Sequence, residues 1–145
     1  MHEILTRPVV HLYAVCAAIL VLKMVLTGNA VGFSRVRKRV YISPEDYAFA
    51  GGRPAGGADE QIERLRRAHQ NDLENVLPFL VLGFLYALTG PSYRLAWWLF
   101  VPFTAARVVH TIVYAAGVQP WRTIAFEIGN VTLIVMSILL LVHLW

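Results

Sequence analysis

Cysteine and charge are both scarce in this chain. Its 145 residues include one cysteine, Cys16, which excludes an intrachain disulfide framework and any metal site built from several cysteines. Charged residues make up 15% of the chain, against roughly one quarter in soluble globular domains. Hydrophobic residues make up 57%, more than so short a chain can bury away from water. The composition therefore indicates a protein embedded in lipid, and the net charge of +4 does not indicate nucleic-acid binding.

Four apolar stretches are long enough to cross a membrane, since a hydrocarbon core of about 30 Å takes about 20 helical residues. None alternates polar and apolar residues as a barrel strand would, and helices satisfy their own backbone groups in lipid. The sequence predicts an all-α membrane protein, a bundle of four transmembrane helices in a single domain over residues 1–145. The predicted helices cover residues 9–33, 60–89, 95–116 and 121–145. The second begins with a charged segment that stands outside the membrane.

Basic residues concentrate in and just after the long connection over residues 34–59. Eight of the thirteen lie between Ser34 and Asp72, so the positive-inside rule places this connection in the cytoplasm and both termini outside. Ser43, followed by proline and two acids, predicts a short helix within the connection. Gly51–Gly57 holds four glycines and is predicted to be flexible.

Several ionisable residues lie at or within the predicted spans, where each costs about 2.5–3.5 kcal/mol at the bilayer centre. They are Lys23, Glu74, Arg107, His110 and Glu127. We expect Glu74 to pair with Arg107, either as a structural ion pair or beside a binding site. Lys23 is expected to reach the membrane surface or to pair with Glu127. His110 is either an interhelical hydrogen-bonding group or a ligand contact.

Polar residues also form stripes at helical spacing on the second and third helices. The two stripes are Arg67, Asn71 and Glu74, and Arg107, His110 and Tyr114. Arg35 near the end of the first helix, and Arg122 with Thr123 at the start of the fourth, lie at the same membrane surface. The four helices are thus predicted to direct polar groups to one region near the cytoplasm.

The residue types in this region indicate a class of ligand. Arginine binds carboxylates bidentately, and a glutamate such as Glu74 can hold an ammonium group. A partly desolvated guanidinium also lowers the pKa of a nearby thiol and makes the thiolate available near neutral pH. A small zwitterionic thiol with excess carboxylates, attacking an apolar co-substrate from the bilayer, is therefore one hypothesis among several.

Longer motifs resemble a known family. The segment Glu63–Leu80 (ERLRRAHQNDLENVLPFL) resembles the signature of the MAPEG family, the membrane-associated proteins of eicosanoid and glutathione metabolism. Further matches are Ser43–Asp46, Arg107–Tyr114 and Pro120–Thr123, so the resemblance covers most of the chain from Lys23 to about Gly129. Within the family the chain is similar to the branch of microsomal glutathione transferase 1 and the microsomal prostaglandin E synthase.

The resemblance implies a four-helix subunit that assembles as a homotrimer in the lipid bilayer. It also implies glutathione in clefts between neighbouring subunits, facing the cytoplasm. The positions that match glutathione contacts of the family are Arg35, Arg67, Asn71, Glu74, His110, Tyr114 and Arg122. Arg122 would stabilise the thiolate, Arg107 would support Glu74, and Asp46 matches an acid proposed in the chemistry of the synthase.

Three positions depart from the synthase pattern. Gln70 stands where the synthase has an arginine, Thr123 replaces a serine proposed to activate the thiol, and Phe126 stands in place of a tyrosine. Each departure removes or alters a polar group of the synthase. The differences favour a broader glutathione transferase over a dedicated prostaglandin isomerase.

The sequence therefore predicts a glutathione transferase that acts on hydrophobic electrophiles, with peroxidase activity on lipid hydroperoxides and no metal. Arg122, Thr123 and Asp46 are the predicted catalytic residues. The alternatives are a glutathione-dependent prostaglandin endoperoxide isomerase, a non-catalytic lipid-binding scaffold, and a small proton-coupled transporter built on Glu74, Arg107 and Glu127. The expected location is the endoplasmic reticulum in a eukaryote and the inner membrane in a bacterium.

Overall fold

The computed structural model describes residues 6–54 and 59–145, so the predicted single domain and the Gly51–Gly57 stretch lie partly outside the described residues. The elements, in chain order, are α1 (Pro8–Lys38), β1 (Val40–Tyr41), α2 (Pro44–Ala50), β2 (Arg53–Pro54), α3 (Glu60–Leu88), α4 (Tyr93–Ala116) and α5 (Trp121–Leu144). The two-residue strands β1 and β2 pair in parallel, and every other element is a helix. The predicted all-helical architecture is confirmed, including the short helix that begins at Pro44.

Helix α1 is longer than predicted. It continues beyond residue 33 to Lys38, and it ends where Arg39 adopts the left-handed conformation with φ of 54°. Gly28 lies inside this helix and against α3, where an added Cβ would be 3.2 Å from Cε1 of His69. As a result Arg35 lies in the last turn of α1 rather than in a loop.

Helices α1, α4 and α5 are each long and apolar enough to cross a membrane. Within the described residues these are the helices that meet this criterion, whereas four spans were predicted. Helix α3 has 29 residues, but its first half is rich in charge. The structure therefore has three candidate membrane spans and one long helix of mixed character.

Helices α1 and α3 run antiparallel along their whole length. Three polar contacts in reverse sequence order join Tyr13 to Leu80 (2.7 Å), Lys23 to Asp72 (2.5 Å) and Lys38 to Asp59 (2.8 Å). Asp59 is also the N-cap of α3, and its carboxylate accepts hydrogen bonds from the backbone of Gln61 and Ile62. The hydrogen bond from Lys38 lowers the pKa of Asp59. The same contact joins the end of α1 to the start of α3.

The apolar core occupies one half of the bundle. Phe79 of α3 stacks on Phe103 of α4 with ring centroids 4.3 Å apart, and it meets Phe100 edge-on at 5.7 Å. Leu20 of α1 and Met136 of α5 complete this core and are fully buried. Packed aromatic and aliphatic groups thus hold the four long helices together at this level.

Next to this core, a buried polar cluster joins α1, α3 and α4. Asp72 Oδ1 accepts hydrogen bonds from Lys23 Nζ at 2.5 Å and from Arg107 Nη2 at 3.1 Å. Thr111 Oγ1 donates to Asp72 Oδ2 at 3.2 Å and accepts from Lys23 Nζ at 2.9 Å. Asp72 and Arg107 are both fully buried. One carboxylate therefore holds two cations in the interior.

The predicted partners of these cations were wrong. Arg107 pairs with Asp72 and not with Glu74, and Lys23 pairs with Asp72 and not with Glu127. An α-helix turns by about 200° over two residues, so Glu74 cannot share the inward face that carries Asp72. Glu74 is exposed instead and accepts a hydrogen bond from Gln70 Nε2 at 3.1 Å.

We predict that Asp72→Asn lowers the free energy of unfolding by about 3–5 kcal/mol, because two buried cations lose their counter-charge. Denaturant unfolding of the purified protein in detergent micelles measures this loss. Glu127→Gln is the matched control, since it neutralises an exposed carboxylate of α5, and its effect should stay within about 0.5 kcal/mol. Equal losses in the two variants would contradict the assignment of Asp72 as the central anion.

Candidate functional site

A cavity of about 370 Å³ opens at the end of the bundle where α3 begins, α4 ends and α5 begins. Its lining residues are Glu60, Glu63, Arg64, Arg67, Tyr114, Gly117 and Arg122. Three guanidinium groups and two carboxylates thus surround one volume together with a phenol. The cavity can bind a ligand that carries groups of both charges with an excess of negative ones.

The turn between α4 and α5 gives the cavity its shape. Gly117 ends α4 in the left-handed conformation, with φ of 71°, and its backbone N–H donates to the carbonyl of Tyr114 at 3.1 Å. A Cβ at this position would overlap the guanidinium of Arg64. The glycine therefore permits the tight reversal between α4 and α5 and leaves room for the guanidinium of Arg64 beside it.

Arg122 is held on two sides. Its guanidinium carbon lies 4.9 Å from the ring centroid of Tyr114, within cation–π distance. In the amide orientation that satisfies both neighbours, the oxygen of Gln119 accepts from Arg122 Nε at 3.1 Å and Nη2 at 2.7 Å. The Gln119 nitrogen then donates to Thr123 Oγ1 at 3.2 Å. The charge of Arg122 is thereby fixed at the cavity wall.

His110 lies behind Tyr114 rather than in the cavity wall. The two rings meet edge to face at 5.5 Å, and Phe126 of α5 packs 6.2 Å from the imidazole. His110 is 1% exposed. In a single chain it supports the ring of Tyr114, and through it the position of Arg122.

Glu63 is the carboxylate of the cavity with the most cationic surroundings. The hydrogen bond from Arg66 Nε, 3.0 Å from Oε2, lowers the pKa of Glu63, and the charges of Arg67 and Arg35 lower it further. These neighbours therefore favour the charged form of the Glu63 carboxylate. The ion pair of Lys38 with Asp59 places the end of α1 beside the start of α3.

The structure brings some of the predicted residues together. Arg67, Tyr114 and Arg122 line the same cavity. Asn71 lies one turn further along α3 than Arg67, and its Oδ1 accepts from Arg107 Nη2 at 2.6 Å. Arg107 thus supports Asn71 as well as Asp72.

Other predicted residues lie apart from the cavity. Glu74 is exposed beyond Asn71 on α3 and is absent from the lining. Asp46 is exposed on α2, and within the described parts of the chain this helix contacts only β1 and β2. A single chain therefore does not bring either acid to Arg122.

Sequence reasoning did not identify Glu60, Glu63 and Arg64 as cavity residues. Counted from Glu60, these residues and Arg67 follow one another at i, i+3, i+4 and i+7, which is the spacing of one helix face. The signal was therefore present in the sequence. Surface ion pairs have the same spacing, and Glu60 does pair with Arg64.

A second groove, of about 490 Å³, runs along α5 beside Arg122. It is lined by Thr123, Ile124, Glu127, Ile128, Val131 and Thr132. Apart from Glu127 and the hydroxyls of the two threonines, the side chains that face it are aliphatic. Thr123 stands at the start of this groove and also contacts Gln119, so it lies between the charged cavity and an apolar surface.

Comparison with known proteins identifies the family. Residues 13–142 match the MAPEG family. The chain is 43% identical to microsomal glutathione S-transferase 1 of Homo sapiens over 122 residues, 81% of this chain and 79% of the relative. It is 33% identical to prostaglandin E synthase of Homo sapiens over 139 residues, 95% of this chain and 91% of the relative. The resemblance inferred from the sequence is confirmed, and the chain is an integral membrane protein of the MAPEG family.

Proposed function

We propose that the protein is a membrane-bound glutathione transferase that conjugates glutathione to hydrophobic electrophiles. The observation that carries this proposal is the fixed guanidinium of Arg122, which shares a cavity with Arg64 and Arg67 at the end of an apolar bundle. Relatives named microsomal glutathione S-transferase 1 that align over most of the chain support it.

Glutathione has the charges that this cavity can bind. The tripeptide carries two carboxylates, one ammonium group and one thiol. Arg67 and Arg35 bind its carboxylates, because guanidinium pairs bidentately with them. The amide nitrogen of Asn71 donates to the peptide, since its oxygen is already engaged by Arg107. Tyr114 lines the cavity next to Arg122, and His110 packs behind the ring of Tyr114.

Residues that lie apart in one chain are our reason for proposing a homotrimer. Glu74 and Asp46 belong to the positions that the family resemblance assigns to the site, yet both are exposed away from Arg122. A cleft between neighbouring subunits brings such residues to one ligand. In this arrangement Glu74 holds the ammonium group of glutathione, and the site is complete only in the assembly.

The reaction begins with ionisation of the thiol. The proton passes to solvent, while Arg122 and the hydroxyl of Thr123 stabilise the thiolate. The sulfur then attacks the electrophilic carbon, a C–S bond forms, and the leaving group departs with its bonding electrons, as chloride does from a chlorinated nitrobenzene. With a lipid hydroperoxide, the thiolate attacks the peroxide oxygen and the O–O bond breaks. The lipid alkoxide leaves with the bonding electrons and takes up a proton to become the lipid alcohol, and a second glutathione then attacks the glutathione sulfenic acid and gives glutathione disulfide and water.

The hydrophobic substrate reaches the thiolate along the groove of α5. This groove is aliphatic and begins at Thr123, next to Arg122. An electrophile dissolved in the bilayer can therefore approach the sulfur sideways without crossing the aqueous phase. Charged and apolar substrates are bound by separate surfaces that meet at Thr123.

The bundle spans the membrane with four helices as a single domain. Helix α3 runs alongside α1 from Leu80 to Asp59, so a membrane that α1 crosses is also crossed by the apolar half of α3. The basic end of the bundle, which holds the cavity, faces the cytoplasm by the positive-inside rule. The host membrane is the endoplasmic reticulum in a eukaryote and the inner membrane in a bacterium.

A second candidate function is the isomerisation of a prostaglandin endoperoxide with glutathione as cofactor. It is favoured by relatives named prostaglandin E synthase that align with up to 95% of the chain. The exposed Asp46, the pairing of Gln70 with Glu74 and the phenyl ring of Phe126 favour the transferase. Turnover of a chlorinated nitrobenzene is compared with turnover of the endoperoxide, and faster isomerisation would reverse this ranking.

Two other classes have less support. A non-catalytic lipid-binding scaffold does not need a cavity with three arginines, and undetectable glutathione binding in calorimetry would favour it. A proton-coupled transporter built on Glu74, Arg107 and Glu127 requires that these residues meet. Arg107 is buried against Asp72, whereas Glu74 and Glu127 are exposed.

We predict that Arg122→Ala raises the pKa of bound glutathione and lowers kcat/KM by about tenfold or more, because the thiolate loses its nearest positive charge. Ultraviolet absorbance of the thiolate, titrated against pH, measures the first effect. Arg94→Ala is the matched control, since Arg94 is exposed at the opposite end of α4. An unchanged thiolate titration in Arg122→Ala, with the assembly intact by size-exclusion chromatography, would remove Arg122 from this role.

We also predict that Val131→Trp raises the KM for a hydrophobic electrophile about tenfold, because the indole occupies the groove where the substrate lies. The Kd of glutathione should not change, since the charged cavity is separate. Val142→Trp provides the control, because Val142 is 70% exposed near the far end of the same helix. If both variants shifted KM equally, or neither did, the groove would not be the electrophile site.

A further inference from the structure

The side chain of Gln119 contacts both residues that we place at the sulfur. It lies in the turn between α4 and α5, where its amide oxygen accepts from Nε and Nη2 of Arg122 and its nitrogen donates to Thr123 Oγ1. Gln119 is not among the family positions described above as contacting glutathione. Its own side chain is exposed, so these contacts are not a consequence of tight packing.

Because of its contacts, only one part of the Arg122 guanidinium is available to bind a ligand. The group has five N–H donors, and Gln119 occupies the edge formed by Nε and Nη2. The centroid of the Tyr114 ring lies 4.9 Å from the guanidinium carbon, so the phenol is a second close neighbour of this group. The edge formed by Nη1 and the second hydrogen of Nη2 is left to point at a ligand.

The same amide decides where the hydroxyl hydrogen of Thr123 points. When the Gln119 nitrogen donates to Oγ1, the hydroxyl acts as acceptor and its own hydrogen is free for another partner. With the amide reversed, its oxygen would take the hydrogen of Thr123 and its N–H groups would face the donors of Arg122. The donors of Arg122 therefore set the orientation of the amide, and this orientation releases the hydrogen of Thr123.

We propose that Gln119 is a positioning residue, which presents the free edge of Arg122 and the hydroxyl of Thr123 together to the sulfur of glutathione. The inference rests on the proposed function and extends it. Arginine is a long, mobile side chain, and a thiolate is stabilised best by donors that are already in place. Gln119 holds these donors in place through hydrogen bonds, without contacting the substrate.

The test replaces Gln119 by methionine, which has a similar length and no strong hydrogen-bonding group. We expect Gln119→Met to raise the pKa of bound glutathione in the thiolate titration and to lower kcat about 10- to 100-fold. The Kd of glutathione should change less than threefold, since other residues bind its carboxylates. Gln61→Met, which removes an amide that accepts from Lys38, is the matched control and should titrate as the wild type does.

A double-mutant cycle separates positioning from a merely structural role. In a variant that already carries Arg122→Ala and Thr123→Val, adding Gln119→Met should cause no further loss of kcat, because the amide then has no side chain left to position. Thr123→Val alone, which keeps the side-chain shape, should raise the thiol pKa less than Gln119→Met does. If the methionine variant does not fold, Gln119→Ala removes the same amide and is expected to raise the thiol pKa in the same way.

Three results would overturn the inference. In the first, the thiolate titration of Gln119→Met coincides with that of the wild type. In the second, Gln119→Met lowers kcat by the same factor whether or not Arg122 and Thr123 are present. Either result would leave the proposed function intact and remove Gln119 from it. A wild-type protein that bound glutathione without ionising it would instead overturn the proposed function as well, so the two failures are distinguishable.

Discussion

One buried carboxylate determines how three of the long helices of this protein meet. Asp72 accepts hydrogen bonds from Lys23 of α1 and from Arg107 of α4, so a single side chain of α3 fixes the rotation of both neighbours. Charges this deep are tolerated only when paired, which makes other rotations of these helices costly. Because Arg107 also binds the oxygen of Asn71, the same interaction sets the orientation of α3 where it approaches the cavity.

The polarity of the bundle changes in steps along its axis, and the candidate site lies at the polar end of this series. Packed rings of Phe79, Phe100 and Phe103 come first, the cluster of Asp72 follows, and the open cavity with Arg122 comes last. A guanidinium at the edge of the apolar region is less screened than one in water, so it acts more strongly on a nearby thiol. The position of Arg122 along the axis matters as much as its charge.

The lengths of the apolar stretches and the helical spacing predicted the all-helical architecture and part of the cavity, although three candidate membrane spans are found within the described residues where four were predicted. The lengths of the apolar stretches predicted the long helices. The polar stripes predicted that Arg67 and Tyr114 lie close together, and both line the cavity. The partner of Arg107 was not predictable in this way, since Asp72 and Glu74 are both acids near its level and only the rotation of α3 distinguishes them. Gln119 was missed for a different reason: it lies in a turn, where no periodicity marks a residue that contacts two others.

The proposed division of roles between cavity and groove is consistent with relatives whose names describe different reactions. In the proposed mechanism, thiolate formation depends on Arg122 and its surroundings, whereas the groove along α5 binds the second substrate without contributing to that charge. Side chains of the groove can therefore vary and change which electrophile is accepted while the source of the nucleophile stays the same. Thr123 is the exception, because it lines the groove and also bonds to Gln119. In the proposed mechanism a change at Thr123 alters both surfaces together, and substrate choice and thiolate stabilisation are then coupled at this one position.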